Sequence, residues 1–147
     1  MLKELVRIEN INLDLKGTTK DMVFDEMINM LDNNEVILDR ENFKKDIYHR
    51  ESLSNTGIGF GIGIPHSKSN FVKKSSIAIG ISKKGIEYNS IDGNKVNLVF
   101  MLAIKNDDSN LHLIALATIS RKLMHEDFRE RLLNANSREE IMRVLFK

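Results

Sequence analysis

A chain of 147 residues, 41% hydrophobic and 29% charged, has the size and balance of one globular domain able to bury a core of its own. A net charge of +1 supplies no broad field for nucleic acid or anionic lipid, and the absence of cysteine excludes disulfides and thiolate chemistry. Low aromatic content argues against stacking platforms, and with no signal-like segment or membrane-length apolar run the expected location is cytoplasmic.

Leu2, Leu5, Val6 and Ile8 suggest a short amphipathic turn or helix, and alternation of Ile11, Leu13 and Leu15 predicts a short strand after it. Gly17 breaks the chain. Thr18 or Thr19 then caps a helix to about Leu31, with Val23, Met27, Met30 and Leu31 on its buried face. Val36-Ile37-Leu38 reads as a buried connection, and Asp39 caps a helix over roughly Arg40 to Glu51 with Phe43 and Ile47 inward. His49 and Arg50 read there as charged residues of a helix end.

Gly57 to His66 is the most unusual stretch. Four glycines alternate with apolar residues, and the run ends in the only proline followed at once by a histidine. Alternation predicts a strand, and its glycines mark close approach of a backbone or ligand. Pro65 has no N–H and a fixed φ, so the ladder is expected to stop there, leaving His66 at a strand end. A histidine so held can be a nucleophile, a base, a metal ligand or a pH switch. The spacing fits neither the dinucleotide fingerprint nor the phosphate loop.

Ser67 to Lys74 reads as a polar loop, and Ile77, Ile79 and Ile81 predict a strand over Ser75 to Ser82. Gly85 turns the chain, Asp92-Gly93-Asn94 is a turn signal, and Val96 to Ile104 is apolar enough for a central strand covered on both faces. Asp108, Ser109 or Asn110 caps a helix over Leu111 to Met124, with Leu113, Leu116, Ala117, Ser120 and Leu123 as its packed stripe. His112 falls in its first turn, where backbone N–H groups point toward anions. His125 opens a short helix, and Ser137-Arg138-Glu139-Glu140 is a capping box for the last one. No boundary or repeat divides residues 1–147. The element order predicts a single α/β domain, a three-layer α/β/α sandwich with a small mixed sheet.

Thr56-Gly57-Ile58-Gly59 followed by Gly63-Ile64-Pro65-His66, with Arg50-Glu51 upstream and His112-Leu113 downstream, resembles the fructose/mannitol-type enzyme IIA domains of the bacterial phosphoenolpyruvate-dependent sugar phosphotransferase system. Gly63 stands where that family more often has alanine, and Asn55 where serine is common. The resemblance implies the same sandwich fold, with His66 the phosphorylated nucleophile, His112 and Arg50 assisting, and Thr56 and Pro65 contacting the phosphoryl group or partner. It implies acceptance from the histidine-containing phosphocarrier protein and delivery to a sugar-specific enzyme IIB, which feeds the membrane transporter enzyme IIC. No cofactor or metal is required by that scheme. The apolar Ile58, Phe60 and Ile62 are expected to surround the site. Nitrogen-related members offer the alternative, a regulator that signals through its phosphorylation state. Rival chemistries lack anchors: no histidine pair has HxxxH or HExxH spacing, and there is no Gly-x-Ser-x-Gly and no nucleotide loop.

Overall fold

The computed structural model describes residues 2–108 and 110–147. Its centre is a six-stranded mixed sheet ordered β1-β5-β6-β3-β2, with β4 on the same side of β6 as β3. The elements run α1 (Leu2–Leu5), β1 (Val6–Asn12), α2 (Lys20–Asn33), α3 (Arg40–Leu53), β2 (Gly57–Gly59), β3 (Ile62–Gly63), β4 (His66–Ser69), β5 (Ser76–Ile86), β6 (Val96–Lys105), α4 (Leu111–Leu123), α5 (Glu126–Leu133) and α6 (Arg138–Phe146).

Period-two patterning in the two long central strands builds the layers. Ile77, Ile79 and Ile81 of β5 join Leu98, Phe100, Leu102 and Ile104 of β6 on one face, covered by α1, α4, α5 and α6. Ala78, Val99, Met101 and Ala103 point to the other face, where Val23, Phe24, Met27 and Ile28 of α2 and Phe43 and Ile47 of α3 close a second core. The predicted three-layer sandwich is the fold observed.

Several local expectations are corrected. The first strand is Val6–Asn12, not the Ile11–Leu15 segment, because the Asn12 side chain accepts from the Asp14 N–H at 2.9 Å and turns the chain. Gly85, at φ 92°, lies inside β5 at a shift of register rather than ending the strand. In α4 the buried stripe is Ala115, Ile119 and Leu123, with Leu113 56% exposed, so the helix is rotated from the predicted face. Thr19 and Asp39 cap α2 and α3 as expected, whereas Asn110 stands at the N-cap of α4 without a side-chain bond and Ser109 lies outside the described residues. At α6 the Ser137 hydroxyl accepts from the Glu140 N–H, but Glu140 reaches back to the Asn136 N–H rather than to Ser137.

The glycine stretch changes most. It is a tight hairpin in which β2 and β3 pair antiparallel around Gly59, Phe60 and Gly61, all at positive φ. Pro65 interrupts the sheet without ending it. β3 runs parallel to β6 through Ile62↔Leu98 and Gly63↔Val99, and β4 resumes along the same edge at His66↔Leu102. The Pro65 carbonyl accepts from the Leu102 N–H at 2.9 Å across the gap. Ser67 to Ser69, predicted as the start of a loop running to Lys74, therefore continue from His66 as a strand, with Ser67 and Ser69 buried in alternation.

Candidate functional site

His66 opens β4 where the edge ladder restarts, and its ring is fixed at both nitrogens. Nδ1 lies 2.8 Å from the Ile64 carbonyl oxygen, and Nε2 lies 3.1 Å from the Nε of Arg50. A carbonyl only accepts and a guanidinium only donates, so Nδ1 carries the proton and Nε2 presents its lone pair. Burial, seconded by the Arg50 and His112 charges, lowers the His66 pKa below the ordinary 6.5, against the opposing pull of the Ile64 carbonyl and Glu51. The imidazole is thus neutral at physiological pH, the state a nucleophile needs.

Arg50 reaches His66 from the last turn of α3. Its Nη1 donates to the carbonyl and hydroxyl oxygens of Ser54, at 3.0 and 3.3 Å, so the end of the helix braces the guanidinium. His112 lines the same cleft from the first turn of α4. The cleft measures about 500 Å³, with Leu53, Leu113 and Leu116 on its apolar side and Asp46, His49 and Lys68 among its polar lining. The sequence thus brings together His66, Arg50 and His112 from three separate elements, as expected.

Thr56 and Pro65 are placed differently. Both are buried and neither lines the cleft. The Thr56 hydroxyl donates to Glu51 Oε1 at 2.6 Å, its N–H donates to Glu51 Oε2 at 3.0 Å, and its carbonyl accepts from the Ile64 N–H at 2.9 Å. Thr56 thereby supports the segment that holds His66 from beneath. The apolar residues at the cleft also differ from those expected. Ile62 is in the core, and the exposed Phe60 ring lies 4.8 Å from the Arg129 guanidinium. Leu53, Leu113 and Leu116 occupy the place expected for Ile58, Phe60 and Ile62.

Four lining or supporting residues escaped sequence reasoning: His49, Lys68, Glu51 and Tyr88. The first two read as solvated charges. Glu51 carries no signal of its own beside Arg50, and Tyr88 carries no motif, being brought to the site only by tertiary packing against Gly63. A β-carbon on Gly63 would lie 2.8 Å from Tyr88 Cζ, so glycine at that position is matched to the tyrosine ring. Asn55 has a similar local reason. Its Oδ1 accepts from the Gly57 N–H at 2.8 Å while its amide donates to the Asn89 carbonyl, a span beyond a serine hydroxyl. Among the described residues no three His, Asp or Glu side chains gather to hold a metal ion.

The molecule is a mixed sheet between helical layers, with a neutral histidine facing Arg50 at the break between β3 and β4. The chain belongs to the EIIA type 2 family of the phosphoenolpyruvate-dependent sugar phosphotransferase system, whose model matches residues 4–147. It is 42% identical over 144 residues to the fructose-specific EIIABC component of Bacillus subtilis, covering 98% of this chain and 23% of that protein. It is 33% identical to the fructose-specific EIIA component of Haloferax volcanii, covering 98% of this chain and 94% of that one. The chain therefore spans about a quarter of the first relative and nearly all of the second. Among solved structures, the nitrogen regulatory protein IIA-Ntr of Neisseria meningitidis superposes with a TM-score of 0.89 at 27% identity, covering 97% of each chain. IIA mannitol of Escherichia coli shares the fold, with a TM-score of 0.81 at 23% identity over 95% of this chain and 97% of that one.

Proposed function

We propose that the chain accepts a phosphoryl group on Nε2 of His66 from the histidine-containing phosphocarrier protein and passes it to a sugar-specific enzyme IIB serving a membrane transporter. The observation that carries this reading is the double restraint on His66, with Nδ1–H on the Ile64 carbonyl and Nε2 turned toward Arg50. As the Arg50 N–H moves from Nε2 to a phosphoryl oxygen, the freed Nε2 lone pair attacks phosphorus while the bond to the donor's imidazole nitrogen breaks, and that electron pair returns to the donor ring. Positive charge then develops on the His66 ring, and the Ile64 carbonyl stabilises it through Nδ1–H. In this reading Arg50 and His112, which line the cleft with His66, meet the phosphoryl oxygens, because such transfer depends on positioning and charge stabilisation. Delivery to enzyme IIB reverses the step.

Incubation with phosphoenolpyruvate and the general phosphotransferase proteins should label His66 with an acid-labile, base-stable phosphate. His66→Ala should abolish the label, while His49→Ala and His125→Ala retain it. Full labelling of the His66→Ala protein would overturn the assignment. The similarity to a nitrogen regulatory IIA supports a second reading, in which the phosphorylation state is itself the signal. Chasing labelled protein with a fructose-type enzyme IIB separates the two, since a transport carrier loses its label to that partner and a dedicated regulator keeps it.

A further inference from the structure

Behind the cleft lies a buried polar network whose side chains do not line it. Lys20 Nζ donates to Glu51 Oε2 at 2.8 Å and sits 4.7 Å over the Tyr88 ring. Glu51, with its side chain only 8% exposed, accepts at both oxygens from Thr56. The single Thr56 hydroxyl proton is given to the carboxylate, so the Tyr88 hydroxyl, 2.6 Å away, donates to Thr56 Oγ1. Burial, and after it the Glu51 charge, pushes the Tyr88 phenol well above its usual range, which keeps it a donor. The Tyr88 ring meanwhile presses on Gly63, one residue before the Ile64 carbonyl that holds His66.

We infer that Glu51 is a positioning residue for phosphoryl transfer, acting through Thr56 and the Ile64 backbone to hold the His66 ring with Nδ1 protonated and Nε2 aimed into the cleft. The path is continuous. Glu51 holds the Thr56 N–H and hydroxyl, the Thr56 carbonyl holds the Ile64 N–H, and the Ile64 carbonyl holds His66 Nδ1. Glu51 also directly follows Arg50 in α3, so one anchor sets the acceptor for Nδ1 and the helix end that carries the donor facing Nε2. Its negative charge favours the positive ring formed as Nε2 bonds phosphorus. Tyr88 and Lys20 keep the carboxylate in register. This inference rests on His66 being the phosphorylated residue.

Glu51→Gln tests it with shape preserved. The glutamine oxygen can keep the Thr56 N–H and Lys20, and its amide can donate to the Thr56 hydroxyl, which then turns its proton toward Tyr88. Only the charge and two hydrogen-bond directions change. Two quantities are read: single-turnover labelling by the charged histidine phosphocarrier, and the His66 tautomer from ring nitrogen-15 shifts in the unphosphorylated protein. The expected result is complete labelling on His66 at a rate reduced about fivefold to tenfold, the equivalent of losing roughly one hydrogen bond's worth of alignment and charge. The Nδ1–H population should fall with it. Tyr88→Phe, which keeps the ring against Gly63, should give a smaller change of the same sign and supplies the test if Glu51→Gln does not fold. Wild-type rates with an unchanged tautomer in the folded variants would overturn the inference. If the wild-type protein takes no label at all, the phosphoryl-carrier reading fails instead, and the tautomer measurement still reports whether Glu51 orients His66.

Discussion

The His66 ring stands among three neighbours, two of them distant in the chain. Arg50 lies sixteen residues earlier and donates from α3, Ile64 accepts from two residues back, and His112 enters from α4. Removing one charge-assisted contact to a developing charge costs on the order of 1.5–3 kcal/mol, roughly ten- to a hundredfold in rate. Arg50→Ala and His112→Ala should therefore fold normally and take the label on His66 that much more slowly, as rapid-quench labelling would measure. Arg50→Lys should recover little, because an ammonium cannot both donate to Nε2 and fork onto Ser54. Wild-type rates in both alanine variants would remove the two residues from the transfer step. Pro65-His66 and His112 were visible in the sequence because a stiff residue before a histidine and a histidine in a first helical turn are local signals. Glu51 and Tyr88 were not, since their roles exist only after α3, the hairpin and the end of β5 meet.

At the scale of elements, the glycine hairpin and the broken edge strand set where the histidine stands. The alternation of the stretch was correctly strand-like, but the positive φ of Gly59, Phe60 and Gly61 folds it back on itself. No periodicity rule reports that reversal, because Phe60 adopts a conformation glycine would be chosen for. Gly63 is needed because Tyr88 fills the space where a side chain would go. Gly63→Ala should cost about 1–3 kcal/mol through overpacking. Made in a Tyr88→Leu background, the same substitution should cost clearly less, because residues in contact are not additive. Urea midpoints of the four proteins give the answer, and equal costs in the two backgrounds would show that the ring is not what excludes alanine. The strand His66–Ser69 was missed for the complementary reason. Its sequence is polar, and it is a strand because β6 offers an unpaired edge and Asp46 accepts from the buried Ser69 hydroxyl at 2.6 Å.

In the whole molecule the site and stability are linked by protons. Folding lowers the His66 pKa, so between that value and the unfolded 6.5 the folded chain binds fewer protons than the unfolded one. The stabilisation tied to neutral His66 is complete above 6.5 and is lost as pH falls through the folded value. His66→Gln should accordingly lose less stability on acidification below 6.5 than the wild type does, measured as thermal midpoints across that window, and identical slopes would exclude a depressed His66. No helix among the described residues is long and apolar enough to cross a membrane, in keeping with the composition. The layer architecture is written in local patterning, since the apolar periods of two in β5 and β6 and the helical stripes of α2 and α3 require a sheet covered on both faces. The three residues that converge on the cleft are legible there too, through short motifs whose resemblance to one family is specific in combination. The rotation of α4, the pairing of His66–Ser69 and the Glu51 network behind the histidine arise only when the chain is folded. Each depends on which distant surface is available to bury a side chain or accept a hydrogen bond, and that information is held jointly by segments far apart in the chain.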